Sequence, residues 1–170
     1  VINALSDLYH PCQALADLLT LKEHYGDLSK VHLAFVGDGN NVCHSLMLGA
    51  AIMGMTLTVV TPQGFGPDAH VLLRAQAIAE KSGAKLTLSQ HVSAAAGADA
   101  IYTDTWLSMG GRADPALIEK LFAPYQINTA VMQRLAVKHF MHCLPAHRGH
   151  EVTSEVLDSD CSLVLQQAEN

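Results

Sequence analysis

The sequence predicts one three-layer α/β domain, a parallel sheet with helices on both faces. Three observations carry that prediction. Short apolar runs of strand length alternate with longer stretches of helical period, the pattern of successive strand–helix–strand units. Glycine or proline stands at the joins, at Gly26, Gly37, Gly39, Gly54, Gly64, Pro67 and Gly83. The chain has 170 residues, 49% hydrophobic and only 15% charged, enough for one well-buried globule and too few for two comfortable domains.

Each element has a local reason. Pro11 suits the first position of a helix, and Leu15, Leu18, Leu19 and Leu21 follow before an end near His24, ahead of Gly26. Residues 31–36 read as a buried strand, after which Gly37-Asp38-Gly39 turns the chain into a helix over 41–53 closed by Gly54. Residues 56–60 form the second strand and 62–67 a loop. Asp68 caps a helix over 68–81, which Gly83 stops. The third strand is 85–89, a short Ala-rich helix spans 91–96, and the fourth strand is 100–103. Helices near 115–121 and 128–135 precede a fifth strand at 138–142, and 162–165 is expected to add a last one. With no internal repeat or linker, and right-handed crossovers between strands, the expected architecture is Rossmann-like.

Composition excludes several function classes. The formal net charge is -6, and the ten Lys and Arg residues form no basic tract, so no nucleic-acid partner is expected. Apolar stretches break off well short of a membrane span and no signal peptide opens the chain, so no membrane partner is expected either. Cys12, Cys43, Cys143 and Cys161 form no CxxC pair and read as reduced thiols of a cytoplasmic protein. Cys12, Cys43 and Cys161 are expected to be small buried apolar residues, while Cys143 stands among reactive neighbours. The chain opens on Val1 without methionine and stops just after QQAE, which predicts a domain excised from something longer.

Four polar clusters sit at element ends, where open α/β sheets bind ligands. In GDGNN at 37–41, Val42 occupies the place of a third glycine and the second strand lacks a following acid, which argues against a dinucleotide. What remains is a turn exposing helix amides and the Asn40 and Asn41 side chains, suited to a carboxylate or phosphate, unless an asparagine merely caps the helix. His10 and Gln13, in HPCQ, flank a helix start; they form a capping box or grip a carbonyl or amide group. In DTWLSMG at 104–110, Asp104 ends a strand and can pair an ammonium, with Ser108 and Gly110-Gly111 in a loop able to close over Trp106. In HCLPAHRGHEV at 142–152, the residues His142, Cys143, His147 and His150 invite a zinc reading, but the spacing matches no common structural site. A Cys–His nucleophile is a further alternative.

Taken together and in this order, HPCQALADLLTLKEH, FVGDGNNVCHS, DTWLSMG, FAPYQIN and HCLPAHRG through the terminal AEN resemble the ornithine carbamoyltransferases, specifically their second, ornithine-binding domain. HPxQ marks carbamoyltransferases in general; DxxxSMG with HCLP is specific to the ornithine enzymes. The resemblance implies that the side-chain amine of L-ornithine attacks carbamoyl phosphate to give citrulline and phosphate, a step of arginine metabolism, with no metal or organic cofactor. It implies that His10 and Gln13 contact the carbamoyl group. It places Asn41, Asp104, Ser108 and Met109 around ornithine, Cys143 beside the attacking amine, and the Leu144 backbone at the carbamoyl nitrogen. It also implies a homotrimeric parent. The family's phosphate-binding Ser-Thr-Arg-Thr motif lies in its first domain and is absent from these residues, so the isolated chain is expected to turn over poorly; much of the trimer contact is made by that domain too, so the chain is expected to be a monomer or weak oligomer. An acceptor other than ornithine, or a non-catalytic amino-acid-binding module, are the competing readings.

Overall fold

The computed structural model describes residues 2–106 and 114–170. Five strands, β1 (His32–Val36), β2 (Thr56–Val60), β3 (Lys85–Ser89), β4 (Ala100–Thr103) and β5 (His139–His142), form one parallel sheet in the order β3-β2-β1-β4-β5. Phe35 lies opposite Val59 on one side and Tyr102 on the other, and Tyr102 lies opposite Met141. β1, at the centre, is covered on both faces, so Leu33–Val36 is continuously apolar instead of alternating.

Among the described residues seven α-helices flank the sheet: α1 (Pro11–Tyr25), α2 (Asn41–Met53), α3 (Ala69–Ser82), α4 (Pro115–Phe122), α5 (Thr129–Leu135), α6 (Ser154–Leu157) and α7 (Val164–Glu169). Their ends follow capping chemistry. Asp68, Asp114 and Asn128 accept backbone N–H bonds at the starts of α3, α4 and α5. Gly54 and Gly83 close α2 and α3 in the left-handed region, at φ 72 and 83.

Strand residues alternate between two cores. Leu33, Phe35, Leu57, Val59, Tyr102 and Met141 pack against residues of α1, α2 and α3 on one face. Ala34, Val36, Val60, Ile101 and Phe140 pack against Ile127 and residues of α5 and α6 on the other. This is the three-layer, Rossmann-like arrangement expected, and each fully buried large side chain contributes about 1.5–3 kcal/mol. Among the described residues no helix is long and apolar enough to cross a membrane.

Three expectations are corrected. No strand runs over 162–165: Ser162 makes a single bridge to Phe140, and the chain turns into α7 at Val164. Leu163 and Val164 fill the two cores from that turn, so their apolar character reflects packing and not a ladder. The 91–96 segment is a single 3-10 turn, Val92–Ala95. Cys12 is exposed and Cys161 half-buried; only Cys43 of the three is a core thiol.

From β1 the chain steps outward through β2 to β3, then returns to β4 on the other side of β1. The carboxyl ends of β1 and β4 therefore flank the topological switch point, where such sheets open a crevice for ligands. GDGNN follows the first of these strands and DTW the second.

Candidate active site

The site is assembled from four strand and helix ends. Gly39 lets the turn after β1 lie flat on the 65–67 segment: a Cβ there would sit 2.4 Å from Pro67 N and 2.5 Å from Gly66 C. Its N–H donates to Phe65 O at 2.8 Å. That close approach sets Asn40 at the start of α2, where Oδ1 accepts from Val42 N and Cys43 N, both at 3.1 Å. The amide end of Asn40 is then free to reach across the crevice and donate to Asp104 Oδ2 at 2.7 Å.

Asp104 directly follows β4 and is 6% exposed. Its Oδ1 accepts from Thr105 N at 2.7 Å and from the Cys143 thiol at 2.9 Å. Burial, followed by the negative charge of Asp104, pushes the Cys143 thiol well above the ordinary range. The sulfur therefore carries its proton at neutral pH. Since the thiolate is the reactive form, this geometry opposes the cysteine-nucleophile reading. Asp38, in the same turn as Asn40, is pushed up to about 6 by burial and then by Asp104.

His142 ends β5 and is buried. Its Nδ1 accepts from Leu144 N at 2.8 Å, so the ring proton sits on Nε2 and points to Glu151 Oε1 at 3.2 Å. Glu151 is pushed up by burial, but hydrogen bonds from His142 and the His147 backbone outweigh this and hold it low. The pair fixes the loop: Leu144 takes a left-handed backbone with φ 56, and the Leu144–Pro145 bond is cis. Asp104, His142 and Cys143 bring one potential metal-ligand atom each within 4.8 Å of one another. Both His142 nitrogens are already engaged, however, and His147 and His150 line a separate cavity with Trp106 and Glu119. The four-residue zinc set is not brought together.

His10 and Gln13 face Cys143 across an open pocket of ≈ 340 Å³ between the start of α1 and the end of β5. Neither caps α1, because His10 makes no side-chain cap bond and Gln13 donates to Asp17 at 2.9 Å. His10 Nδ1 lies 3.0 Å from Ala4 O; a carbonyl only accepts, so Nδ1 carries the proton. In the neutral ring Nε2 is then an acceptor, and it donates only as imidazolium.

Other sequence-predicted residues are placed as follows. Asn41 begins α2, but its amide donates to Ser6 O at 2.8 Å; Asn40, one residue earlier, meets Asp104. Leu144 is 37% exposed and lines a different pocket, with Arg148 and Asp158. Ser108, Met109 and Gly110-Gly111 lie outside the described residues. Arg148 is held by both oxygens of Asp158 in an exposed bidentate pair and is not directed at Cys143. Residues not singled out beforehand are Asn40 as a contact of Asp104, Glu151, Asp17 and Gln167. Asp17 had a signal, since it stands four residues from Gln13 on the same helix face.

An acid, a protonated thiol and the Asn40 amide gathered at the switch point, with His10 and Gln13 across a pocket from the thiol, define a Rossmann-like domain with a crevice for a small polar molecule. Residues 29–170 match the family described as "Aspartate/ornithine carbamoyltransferase, Asp/Orn binding domain", and the chain belongs to that family. It is 59% identical over 170 residues to an ornithine carbamoyltransferase of Shewanella oneidensis, covering all of this chain and 56% of that protein. A Methanocaldococcus jannaschii ornithine carbamoyltransferase is 49% identical, with 57% of it covered. Among solved structures, the Pyrococcus furiosus enzyme superposes with a TM-score of 0.93 at 47% identity, covering 99% of this chain and 55% of that one. The Gloeobacter violaceus enzyme gives 0.90 at 47% identity, over 99% and 57%. The chain spans a little over half the length of these relatives.

Proposed function

We propose that the chain is the ornithine-binding half of an ornithine carbamoyltransferase, and that carbamoyl phosphate is gripped jointly with residues outside it. The observation that carries this reading is the convergence of Asn40 and Cys143 on Asp104 at the switch point. The Asp104 carboxylate offers an ammonium its counter-charge. Ser108 and Met109 complete the ornithine site by the family resemblance, and Asn41 stands at the same helix start.

The reacting amine of ornithine must be neutral, although a free alkylamine is mostly protonated near neutral pH. A half-buried neutral thiol beside it disfavours the charged form by desolvation, and its sulfur accepts an amine N–H. The amine nitrogen attacks the carbonyl carbon, the carbon–oxygen bond to phosphate breaks, phosphate leaves with that electron pair, and the nitrogen passes one proton to the departing phosphate. No cofactor is needed for these steps. Gln13 and the Leu144 backbone meet the carbamoyl nitrogen. His10 Nε2 contacts the carbamoyl group as an acceptor when neutral; only as imidazolium does it stabilise the oxyanion, a contact worth about 3 kcal/mol. The parent is proposed to be a cytoplasmic homotrimer.

The test is a chimaera in which this chain replaces the matching residues of the Shewanella oneidensis relative. It should form citrulline from ornithine and carbamoyl phosphate, Asp104→Ala should abolish ornithine saturation, and the 170-residue chain alone should be nearly inactive. A folded chimaera that makes no citrulline overturns the assignment.

A further inference from the structure

Asp17 lies four residues beyond Gln13 on the same face of α1 and is fully buried. Its two oxygens are unequal. Oδ1 accepts from Gln13 Nε2 at 2.9 Å and from Gln167 Nε2 at 2.6 Å. Oδ2 is buried without a partner among the described residues, as is Tyr102 Oη. Gln167 in turn accepts at Oε1 from His142 N at 3.0 Å. One oxygen therefore ties α1 to α7 and, through Gln167, to the end of β5 that carries Cys143.

An acceptor that cannot donate decides which way an amide turns. Because Oδ1 takes the N–H end of Gln13, the carbonyl Oε1 is the free end of that side chain, on the pocket that Gln13 lines. A carbonyl there accepts an N–H from a carbamoyl group and has nothing to offer the methyl of an isosteric acetyl group. We propose that Asp17 is a positioning residue for acyl selection, holding the Gln13 amide oxygen toward the acyl group so that the site prefers carbamoyl phosphate to acetyl phosphate. This rests on the carbamoyl-transfer reading above.

Burial pushes the Asp17 carboxyl up to about 7, against the pull of Gln13, Gln167 and the Tyr102 hydroxyl, with a further push from Asp104. When the proton is bound, the unpartnered Oδ2 is the oxygen free to carry it, and Oδ1 remains an acceptor in both states. Asp17→Asn, with its nitrogen in place of Oδ2, preserves the same acceptor. Asp17→Leu fills the volume and removes it.

The experiment measures, in the chimaera, the inhibition constant of acetyl phosphate relative to the KM of carbamoyl phosphate. Wild type and Asp17→Asn should share one ratio. Asp17→Leu should lower it roughly fivefold, the worth of one neutral hydrogen bond, with the ornithine KM nearly unchanged. An unchanged ratio in folded Asp17→Leu overturns the proposal, as does an equal fall in Asp17→Asn. A wild-type chimaera without activity would instead defeat the functional reading. The orientation itself is read in the wild-type chain by NMR: the Gln13 side-chain amide protons should exchange with water slowly. Exchange at the rate of a free glutamine overturns the proposal whether or not Asp17→Leu folds.

Discussion

Asp17→Asn is expected to change how stability depends on pH. The carboxyl is 0% exposed, and burial raises it from 3.8 to about 7, held back by the two glutamine amides and the Tyr102 hydroxyl. Below 3.8 both folded and unfolded chains hold the proton, so ionisation costs nothing there. As pH rises from 3.8 toward about 7, the unfolded chain has released its proton while the folded chain still binds one. Stability falls through that window and levels off above it. At about 1.4 kcal/mol per pH decade, the window is worth on the order of 4 kcal/mol. Asparagine is neutral throughout and carries none of this loss. Asp38, pushed up to about 6, titrates in the same direction but is present in both proteins, so the difference between them isolates Asp17. The assay is thermal unfolding of both chains from about pH 4 to about pH 8. At about 2–4 °C per kcal/mol for a chain of this size, the variant should gain roughly 10 °C on wild type across the range. Parallel melting curves over the whole range would refute the reasoning, because they would mean that Asp17 titrates alike in the folded and unfolded chains.

Three further outcomes are expected. Gly39→Ala places a Cβ 2.4–2.8 Å from the backbone atoms of residues 65–67, which cannot yield as a side-chain end would, so it should cost about 1–3 kcal/mol by chemical denaturation. In the chimaera it should also weaken ornithine binding, since Asn40 moves with the turn. Iodoacetamide near neutral pH should label exposed Cys12 well before Cys143, whose thiol is held protonated by burial and Asp104; peptide mass spectrometry reads the order. A chelator should leave the melting temperature unchanged, because both His142 nitrogens are committed to Glu151 and the Leu144 backbone; a large drop on chelation would revive a structural metal.

Local pattern carried most of the architecture. The run Leu33–Val36, the Asp68 cap and the glycines at 54 and 83 each act on neighbours within a few residues, so strands, helix limits and the parallel class were legible without a fold. The stretch at 162–165 misled for the same reason: a short apolar run has no period long enough to separate a strand from a core-filling turn. The motifs also lie at element boundaries: HPCQ opens α1, while GDGNN, DTW and HCLP stand at the carboxyl ends of β1, β4 and β5.

Contacts between those loops are another matter. Asn40 and Asn41 are chemically identical neighbours, and only the flat approach of Gly39 to residues 65–67 decides that Asn40 turns to Asp104 while Asn41 turns to Ser6. Nothing in HCLPAHRG says that Arg148 is paired, and only the fold brings Asp158 onto it. Asp17 looks like one polar residue on a helix until Gln167, 150 positions away, closes over it. Secondary structure is governed by short-range sterics and periodic burial, which the order of residues states directly. The direction of a side chain, its proton and its partner depend on groups far apart in the chain that meet only once the sheet has stacked, and that is where the chemistry of this domain was set.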